Sequence, residues 1–518
     1  MTAYEDRRDE WYLSRLLQTP IKNFITRYNA NPLPNADRRT VFLFPGGMGS
    51  QLIRAKQKYQ DGPPFSYKTV WLNCSVVDGV AAELQMQMHG HEDYKQQFVI
   101  PDGCVDFINL PPLIYLRPYD GFIQWCQTNW IDLFVFGWDW RRGSVATAKL
   151  FLENFLPQFD DFVENCKPHP LKNFWLIGHS FGGMVIKQIM NQSGSKYVLN
   201  MKGAITVASP FYGYGGQVHR FFKGQQPLNI FAGKNGATKM TRVISTMPGG
   251  YEVLFLDEAT YNANEADFKN DPDEFNLTNY PSMDANAPGE RADPYNPTPD
   301  ATGKVRYLSK CGFDKKLLRD GKAAFDGLTK NLDDKVAGKF WNIRGFGKRA
   351  VVSQTWARVS PKFNPDSSRD PISDTHGPGD GVLPAWSTRL LGNPNVISTD
   401  VETDHMNMMN ERAVQVEIAN LLATRKALKR QMRRTAKTTK MKAASRRSFN
   451  DFLRDMQNVM AQKKGPRRKV AIRKYLAKYR PRELQELFAR GYLDALRSPS
   501  QIAKKSRDRG HRLRKKKL

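Results

Sequence analysis

One serine stands between two glycines where a predicted strand meets a predicted helix. The stretch 174–183 reads Phe-Trp-Leu-Ile-Gly-His-Ser-Phe-Gly-Gly, and a helical pattern of apolar residues follows it. Gly178 and Gly182 would let the strand and helix backbones approach without a clash at Cβ. The helix would begin directly under Ser180, and its first amides favour developing negative charge. This spacing predicts a nucleophilic serine on a sharp turn, and a chance Gly-x-Ser-x-Gly in an ordinary turn is the alternative.

Three aspartates compete to be the acid that would support such a nucleophile. Asp380 lies among glycines in the stretch 376–384, which we predict to be a loop after a strand. Asp374 has less of this loop context. Asp404 adjoins the favoured histidine, so that its side chain would normally point elsewhere. Asp380 is therefore the predicted acid, with Asp374 and Asp404 as alternatives.

His405 is the predicted general base. The chain has eight histidines, which limits the choice. His376 precedes Asp380 and breaks the order serine, aspartate, histidine that is typical of α/β-hydrolases, whereas His511 lies in a basic tail. We therefore expect Ser180, Asp380 and His405 to form a catalytic triad that needs no metal and no organic cofactor.

A tetrahedral intermediate of acyl transfer needs two backbone N–H groups that point at one oxygen. Phe181, which follows the serine, is expected to supply one of them. The other is expected from the glycine-rich loop 45–50 after an early apolar run, and Gly47 is the favoured residue. A plain turn is the alternative reading of this loop.

Short apolar runs alternate with helical patterns along the chain. The runs cover 41–44, 133–136, 174–177 and 204–207. A helix is predicted over 145–165, with one apolar side formed by Leu150, Phe151, Phe155, Phe159 and Phe162. This alternation predicts an α/β fold with a mostly parallel sheet, whose functional residues lie at the carboxyl ends of the strands.

Composition divides the chain into three predicted parts. Residues 1–40 are expected to form an N-terminal packing arm, with a membrane-surface role as the alternative. Residues 41–422 would form the hydrolase domain, with a cap or lid inserted within 211–375, because that segment is too long for one crossover. Residues 423–518 would form a basic, partly helical C-terminal extension.

The net charge of +28 is concentrated in the C-terminal extension. From Arg425 onward there are 33 Lys and Arg against 6 Asp and Glu, whereas the rest of the chain has 46 against 45. Two basic amphipathic helices are predicted near 448–462 and 481–496. They favour peripheral contact with an anionic membrane surface. Nucleic-acid binding is less favoured, and a solvated or protein-docking tail is the third interpretation.

The cysteines and apolar segments bear on the compartment. Cys74, Cys104, Cys126, Cys166 and Cys311 are widely spaced and form no CxxC pair, which fits a reduced compartment without excluding one or two disulfides. The first residues lack the apolar core of a signal peptide, and no run of about 18 apolar residues occurs. The expected location is cytoplasmic or peripheral to a membrane.

Five short segments of the chain together resemble one known family. They are Phe-Pro-Gly-Gly-Met-Gly-Ser-Gln-Leu at 44–52, Val-Trp-Leu-Asn at 70–73, Trp-Asp-Trp-Arg-Arg at 138–142, Gly-His-Ser-Phe-Gly at 178–182 and Gly-Asp-Gly-Val at 379–382. Segments of this kind occur in the same order in the lecithin:cholesterol acyltransferase family, which this chain resembles over about residues 40–422. That family includes lysosomal phospholipase A2 and the phospholipid:diacylglycerol acyltransferases.

The resemblance implies an α/β-hydrolase with a cap and acyl-ester chemistry on lipids. It puts Ser180, Asp380 and His405 on the family's triad and Gly47 and Phe181 on its oxyanion positions. It also puts Trp71 in a segment near the membrane-facing, acyl-binding groove. Many family members carry a lid disulfide, but Cys74 and Cys104 do not clearly match that pair, and the basic tail has no counterpart.

Together these observations predict a serine acyl hydrolase or acyltransferase of phospholipids or related acyl lipids. A neutral lipase or carboxylesterase is the alternative within the same class. The alternative from another class is a membrane-binding or nucleic-acid-binding protein with an inactive hydrolase body. The sequence gives no indication of the oligomeric state.

Overall fold

The computed structural model describes residues 3–55, 67–71, 84, 86, 98–105, 108–110, 114–116, 118–224, 235–269, 277, 280, 282–283, 293–295, 314–356, 364–368, 372–390 and 397–423. The two predicted helices of the basic extension lie outside these residues, as do Cys74 and Cys311. The extension and its boundary therefore stay predictions.

The described strands and helices are numbered in chain order. The strands are β1 (Thr40–Phe44), β2 (Ser50–Ala55), β3 (Tyr67–Trp71), β4 (Val99–Cys104), β5 (Ile108–Leu110), β6 (Ile114–Leu116), β7 (Asp132–Val135), β8 (Phe174–His179), β9 (Gly203–Val207), β10 (Ser282–Met283), β11 (Phe340–Phe346), β12 (Lys348–Trp356), β13 (Ile372–Gly379) and β14 (Ile397–Glu402). The helices are α1 (Ala3–Leu16), α2 (Thr19–Asn29), α3 (Asp120–Thr128), α4 (Ser144–Lys149), α5 (Leu156–Phe162), α6 (Phe181–Met190), α7 (Lys196–Asn200), α8 (Gly215–Lys223), α9 (Gly236–Ile244), α10 (Pro248–Glu252), α11 (Glu258–Ala263), α12 (Glu265–Lys269), α13 (Lys315–Thr329), α14 (Asp334–Ala337) and α15 (Arg412–Leu422).

A central sheet of six parallel strands organises the chain, in the order β14-β11-β9-β8-β1-β7. Every residue of β1, β8 and β9 is buried, as expected for strands covered by helices on both faces. The four apolar runs read as strands each coincide with a strand of this sheet, with ends that agree to within two residues. The predicted α/β fold class is confirmed.

The helix predicted over 145–165 is present but is not uniform. It runs through α4, a π-helical segment over Leu150–Phe155 and then α5. Phe151, Phe155 and Phe159 surround the ring of Phe42 with centroids 5.1–6.1 Å apart. Phe162 is 50 % exposed, so its predicted place on the apolar side is wrong. The wider π turn changes the helical phase, which the apolar spacing did not reveal.

The N-terminal helices α1 and α2 pack on the hydrolase core. Tyr12, Leu13, Ile21, Phe24 and Tyr28 are buried in it, and the Phe24 ring lies 5.4 Å from that of Phe159. These apolar side chains are covered by protein, which supports the packing interpretation over a membrane-surface role.

The segment 211–375 contains more than a cap. Helices α8, α9 and α10 lie beside the proposed active site, but β11 pairs with β9 and β14 in the central sheet. An insertion within this segment therefore ends before Phe340. The stretch 376–384 also differs from its prediction as a loop, because its first four residues belong to β13, which pairs antiparallel with β12.

Candidate active site

Ser180 lies on a strained turn between β8 and α6. Its backbone has φ 53° and ψ −125°, which residues other than glycine rarely adopt. A Cβ at Gly178 would lie 2.6 Å from the backbone of Gly182, and one at Gly182 would overlap the carbonyl oxygen of Phe44. Only glycine fits at these two positions, and the turn holds the serine at the first amides of α6.

Two hydrogen bonds join Ser180 to His405 and His405 to Asp380. His405 Nε2 lies 3.0 Å from Ser180 Oγ, and His405 Nδ1 lies 2.7 Å from Asp380 Oδ2. The carboxylate can only accept, so Nδ1 carries the proton and Nε2 is free to accept from the serine hydroxyl. Asp380 is 1 % exposed and His405 5 % exposed, so both are shielded from water. The structure thus brings together the three residues predicted from the sequence.

The acid is held in place by its own turn. Asp380 Oδ1 accepts the amides of Val382 at 3.0 Å and Leu383 at 2.8 Å, and its carbonyl oxygen accepts the amide of His405 at 3.0 Å. A Cβ at Gly345 in β11 would lie 2.8 Å from Asp380 Cβ. A glycine at this position therefore allows the acid to lie beside the end of the central strand.

The two competing aspartates have other partners. Asp374 Oδ1 lies 2.7 Å from His219 Nε2 and accepts from Gln354 at 3.0 Å. Asp404 accepts the amide of Met406 at 3.1 Å and caps the short 3₁₀ helix that begins at His405. Among the described side chains, neither forms a hydrogen bond to the His405 ring.

Gly47 and Phe181, the predicted oxyanion residues, are in contact beside Ser180. A Cβ at Gly47 would lie 3.2 Å from Phe181 Cδ1, and both residues line the same cavity as Ser180. The Phe181 amide is the first of α6 and has no acceptor within the helix. This arrangement can provide amides near an oxygen bound at Ser180.

Tyr119 and His179 form a hydrogen-bonded link that the sequence reasoning missed. The amide of Gly46 donates to Tyr119 Oη at 2.6 Å, Tyr119 Oη lies 3.0 Å from His179 Nδ1, and His179 Nε2 lies 3.1 Å from the carbonyl oxygen of His405. The carbonyl must accept, so Nε2 carries the proton and the tyrosine hydroxyl donates to Nδ1. The link therefore ties the glycine-rich loop to the backbone of His405.

Burial keeps His179 neutral. Its pKa lies well below its ordinary value, chiefly because the ring is desolvated and secondly because His405 lies beside it. A neutral ring is the form that the link requires, because Nδ1 must accept from Tyr119. His179 lay within the serine motif, but nothing in the spacing connected it with Tyr119.

A cavity of about 350 Å³ opens beside Ser180, and most of its walls are apolar. Trp71 forms part of the wall; its Nε1 donates to the carbonyl oxygen of Met48 at 2.7 Å, and its ring lies 5.5 Å from that of Trp140. Trp71 thus supports the glycine-rich loop. Its predicted role in binding an acyl chain stays a prediction.

The Trp-Asp-Trp-Arg-Arg segment forms a buried ion-pair network. Arg141 contacts Asp139 through two hydrogen bonds of 2.8 and 2.6 Å, and Arg142 pairs with Asp9 at 2.6 Å and Glu5 at 3.6 Å. The contacts of Arg142 extend this network to α1.

Three further findings on the described residues concern metal binding, thiols and membrane-spanning helices. No group of three or more His, Cys, Asp or Glu side chains among them is arranged to hold a metal ion. Cys126 and Cys166 are free thiols. In this part of the chain every helix is too short or too polar to cross a lipid bilayer.

Comparison with known proteins supports the resemblance seen in the sequence. The family model described as lecithin:cholesterol acyltransferase matches residues 119–295, about a third of the chain. No curated protein matches the chain. The solved structure described as "The crystal structure of Tle4-Tli4 complex" is 13 % identical with a TM-score of 0.47, covering 74 % of this chain and 97 % of that one. The matched family range contains Ser180, and the predicted resemblance to the lecithin:cholesterol acyltransferase family is thereby confirmed.

Proposed function

We propose that this protein is a serine acyl hydrolase or acyltransferase that acts on phospholipids or related acyl lipids. The observation that carries this proposal is the hydrogen-bond chain from Ser180 through His405 to Asp380, open to a largely apolar cavity. The family match supports lipid acyl chemistry of the acyltransferase or phospholipase type.

The reaction would begin with attack of Ser180 Oγ on the ester carbonyl carbon. His405 Nε2 takes the hydroxyl proton, and Asp380 stabilises the imidazolium through Nδ1–H. The amides of Gly47 and Phe181 stabilise the oxyanion. When the tetrahedral intermediate collapses, His405 gives the proton to the leaving alkoxide and an acyl-enzyme remains on Ser180. Water or an acceptor alcohol then takes the acyl group by the same steps in reverse.

The basic extension 423–518 supplies a second part of the proposal. Its charge would hold the enzyme at an anionic membrane surface, where each Lys or Arg near the bilayer contributes about 1 kcal/mol. Peripheral contact of this kind would concentrate the enzyme on its lipid substrate.

Turnover of a lipid panel by matched serine variants tests the reaction. Ser180→Ala is compared with Ser193→Ala, a half-buried serine whose hydroxyl donates to Asp333. The panel contains phosphatidylcholine, diacylglycerol, triacylglycerol and a soluble short-chain ester, each with and without a long-chain alcohol. Ser180→Ala should lower every rate by at least about 10³-fold, as loss of a triad nucleophile does, and Ser193→Ala should not.

The panel also separates the alternatives. Preference for triacylglycerol over phospholipid would favour a neutral lipase. Equal rates in wild type and Ser180→Ala would rule out the proposed nucleophile. A wild type that turns over none of these esters would favour an inactive hydrolase body.

A further inference from the structure

The cavity beside Ser180 has one charged corner. Arg220 is the only lysine or arginine among the described residues that line it, and no described aspartate or glutamate lines it. Helix α8 carries Arg220 one helical turn after Gln217, so both side chains lie on the face that borders the cavity.

The contacts of Arg220 leave its charge uncompensated by the described residues. Its Nη1 donates to Gln217 Oε1 at 3.0 Å, and its guanidinium carbon lies 5.6 Å from the centre of the Tyr214 ring. Neither partner is charged, and no described carboxylate pairs with this guanidinium. A partly buried arginine normally has an anionic partner, because desolvating an unpaired charge is costly.

Gln217 adds further donors to this corner. Its Oε1 is used by Arg220, so its Nε2 presents two N–H groups, and a Cβ at Gly250 in the cavity wall would lie 3.1 Å from that nitrogen. No described residue accepts from Nε2. The corner therefore offers a guanidinium and an amide as donors, a combination that suits anionic oxygens such as those of a phosphate.

We propose that Arg220 and Gln217 bind the phosphodiester of a glycerophospholipid while its acyl ester lies at Ser180. This inference rests on the proposed function and names the residues that would determine its substrate preference. An uncharged acyl lipid such as diacylglycerol has no anionic group for this corner and would leave the arginine unpaired in an apolar cavity. Arg220 thus favours phospholipid over neutral lipid.

The test measures kcat/KM of the full chain on phosphatidylcholine and on diacylglycerol with the same acyl chains, each in neutral-detergent micelles. Phosphatidylcholine carries no net charge, so the basic extension contributes little to the difference. Arg220→Gln removes the charge. Arg220→Lys keeps the charge but lacks the planar guanidinium, which can donate two parallel hydrogen bonds to one anionic group. Arg242→Gln, an exposed arginine on the adjacent helix α9, is the matched control.

Arg220→Gln should lower the ratio of the phospholipid to the diacylglycerol kcat/KM about 10- to 100-fold, the value of hydrogen bonds to a charged group. Arg220→Lys should lose less, and Arg242→Gln should stay within about twofold of wild type. Hydrolysis of a soluble ester reports that each variant is folded. An unchanged ratio in Arg220→Gln contradicts the inference.

Two further outcomes separate this inference from related explanations. Inorganic phosphate added to the diacylglycerol micelles should not alter the rate. A phosphate effect that Arg220→Gln abolishes would assign the corner to a free anion and contradict the inference. A wild type that hydrolyses neither lipid contradicts the proposed function itself, and the inference with it.

Discussion

At the scale of single residues, the proposed chemistry depends on how His405 is held. Its ring bonds to Ser180 and Asp380, while its backbone amide donates to the Asp380 carbonyl and its own carbonyl accepts from His179. Asp380 therefore fixes both the ring and the backbone, while Ser180 bonds to the ring alone and His179 to the backbone alone. Holding the base in this way keeps Nε2 directed at the serine before substrate arrives.

Sequence reasoning selected Ser180, Asp380 and His405 because a rare motif and a small number of histidines left few choices. The same reasoning could not find Tyr119, since its hydroxyl meets His179 across 60 residues of chain and no spacing relates the two. It also missed Arg220. In the sequence this residue is an ordinary member of an amphipathic helix, and only the fold shows that it lines the cavity.

Substitution of the three competing acids tests the assignment of Asp380. Asp380→Asn should lower kcat about 10³- to 10⁴-fold, because an amide at this position neither stabilises the imidazolium nor selects the required tautomer. Asp374→Asn and Asp404→Asn should each stay within about tenfold of wild type, since these side chains bond to His219 and to the Met406 amide. Steady-state kinetics on a soluble ester give the comparison, and Asp404→Asn as the most damaging of the three would show that the wrong acid was chosen.

Removal of the Tyr119 hydroxyl tests the link between the glycine-rich loop and His405. Tyr119→Phe leaves the Gly46 amide without its acceptor and His179 Nδ1 without its donor. We expect kcat on a soluble ester to fall about tenfold with KM nearly unchanged, because the positions of loop and base are loosened.

The control for this variant is Tyr28→Phe. Tyr28 is also buried, and its hydroxyl donates to the Pro168 carbonyl at 2.6 Å. The Tyr28→Phe variant should have a lower free energy of unfolding than wild type but the same kcat. Equal kcat values in Tyr119→Phe and wild type would assign Tyr119 a structural role only.

At the scale of elements, the buried strands of the central sheet were predictable from the sequence, whereas irregular features of other elements were not. Strands covered on both faces are read as apolar runs, so β1, β7, β8 and β9 were found from composition. The π turn at Leu150–Phe155 has no such signature, and neither has the continuation of strand β13 over 376–379. The continuation of β13 depends on its pairing with β12, which no local pattern in the sequence reveals.

Glu252 links α4 to α10, a helix that contributes to the cavity wall. It lies at the end of α10, and its carboxylate accepts the amide of Ser144 at 2.7 Å at the start of α4. Burial raises the pKa of Glu252 from 4.5 to about 7, against the opposing effect of the hydrogen bonds from Ser144 and Val145. The buried side chain of Glu252 thus caps the start of α4.

The raised pKa of Glu252 predicts a pH-dependent stability. The folded protein keeps the proton up to about pH 7, whereas the unfolded chain releases it near pH 4.5, so stability falls as pH rises through this window. Glu252→Gln cannot ionise and should gain roughly 3 kcal/mol relative to wild type between pH 4.5 and 8. Urea unfolding across this range measures the difference.

The matched control for Glu252→Gln is Glu153→Gln, an exposed glutamate in the continuous helix whose start Glu252 caps. It removes one charge without touching the cap. A stability difference between Glu252→Gln and wild type that is constant with pH would contradict a buried, protonated Glu252.

At the scale of the whole molecule, charge and catalysis are predicted to occupy different parts of the chain. Every proposed catalytic residue precedes Leu422, and the excess of basic residues follows it. Composition alone locates this change in charge. Whether the extension binds a surface depends on its partner, which composition does not determine.

Truncation after Leu422 tests the proposed membrane contact. The truncated chain should hydrolyse soluble esters at near the full rate but should turn over lipid in anionic vesicles more slowly than the full chain. The advantage of the full chain should shrink as salt rises, because exposed charges are screened beyond about 8 Å at physiological ionic strength. Neutral vesicles, the control, should show little difference.

Other results of the truncation would contradict the account in different ways. Loss of the soluble-ester activity would make the extension part of the hydrolase fold. Unchanged activity on anionic vesicles, together with loss of salt-sensitive duplex or single-strand binding, would favour nucleic acid as the partner.

Trapping the acyl-enzyme tests the central claim most directly. Wild type, Ser180→Ala and Ser193→Ala are acid-quenched during turnover of a slow soluble ester, and peptides are analysed by mass spectrometry. We predict one acyl group on the peptide that contains Ser180 in wild type and Ser193→Ala, and none in Ser180→Ala. An acyl group on another residue, or undiminished turnover by Ser180→Ala, would contradict the proposal that Ser180 is the nucleophile.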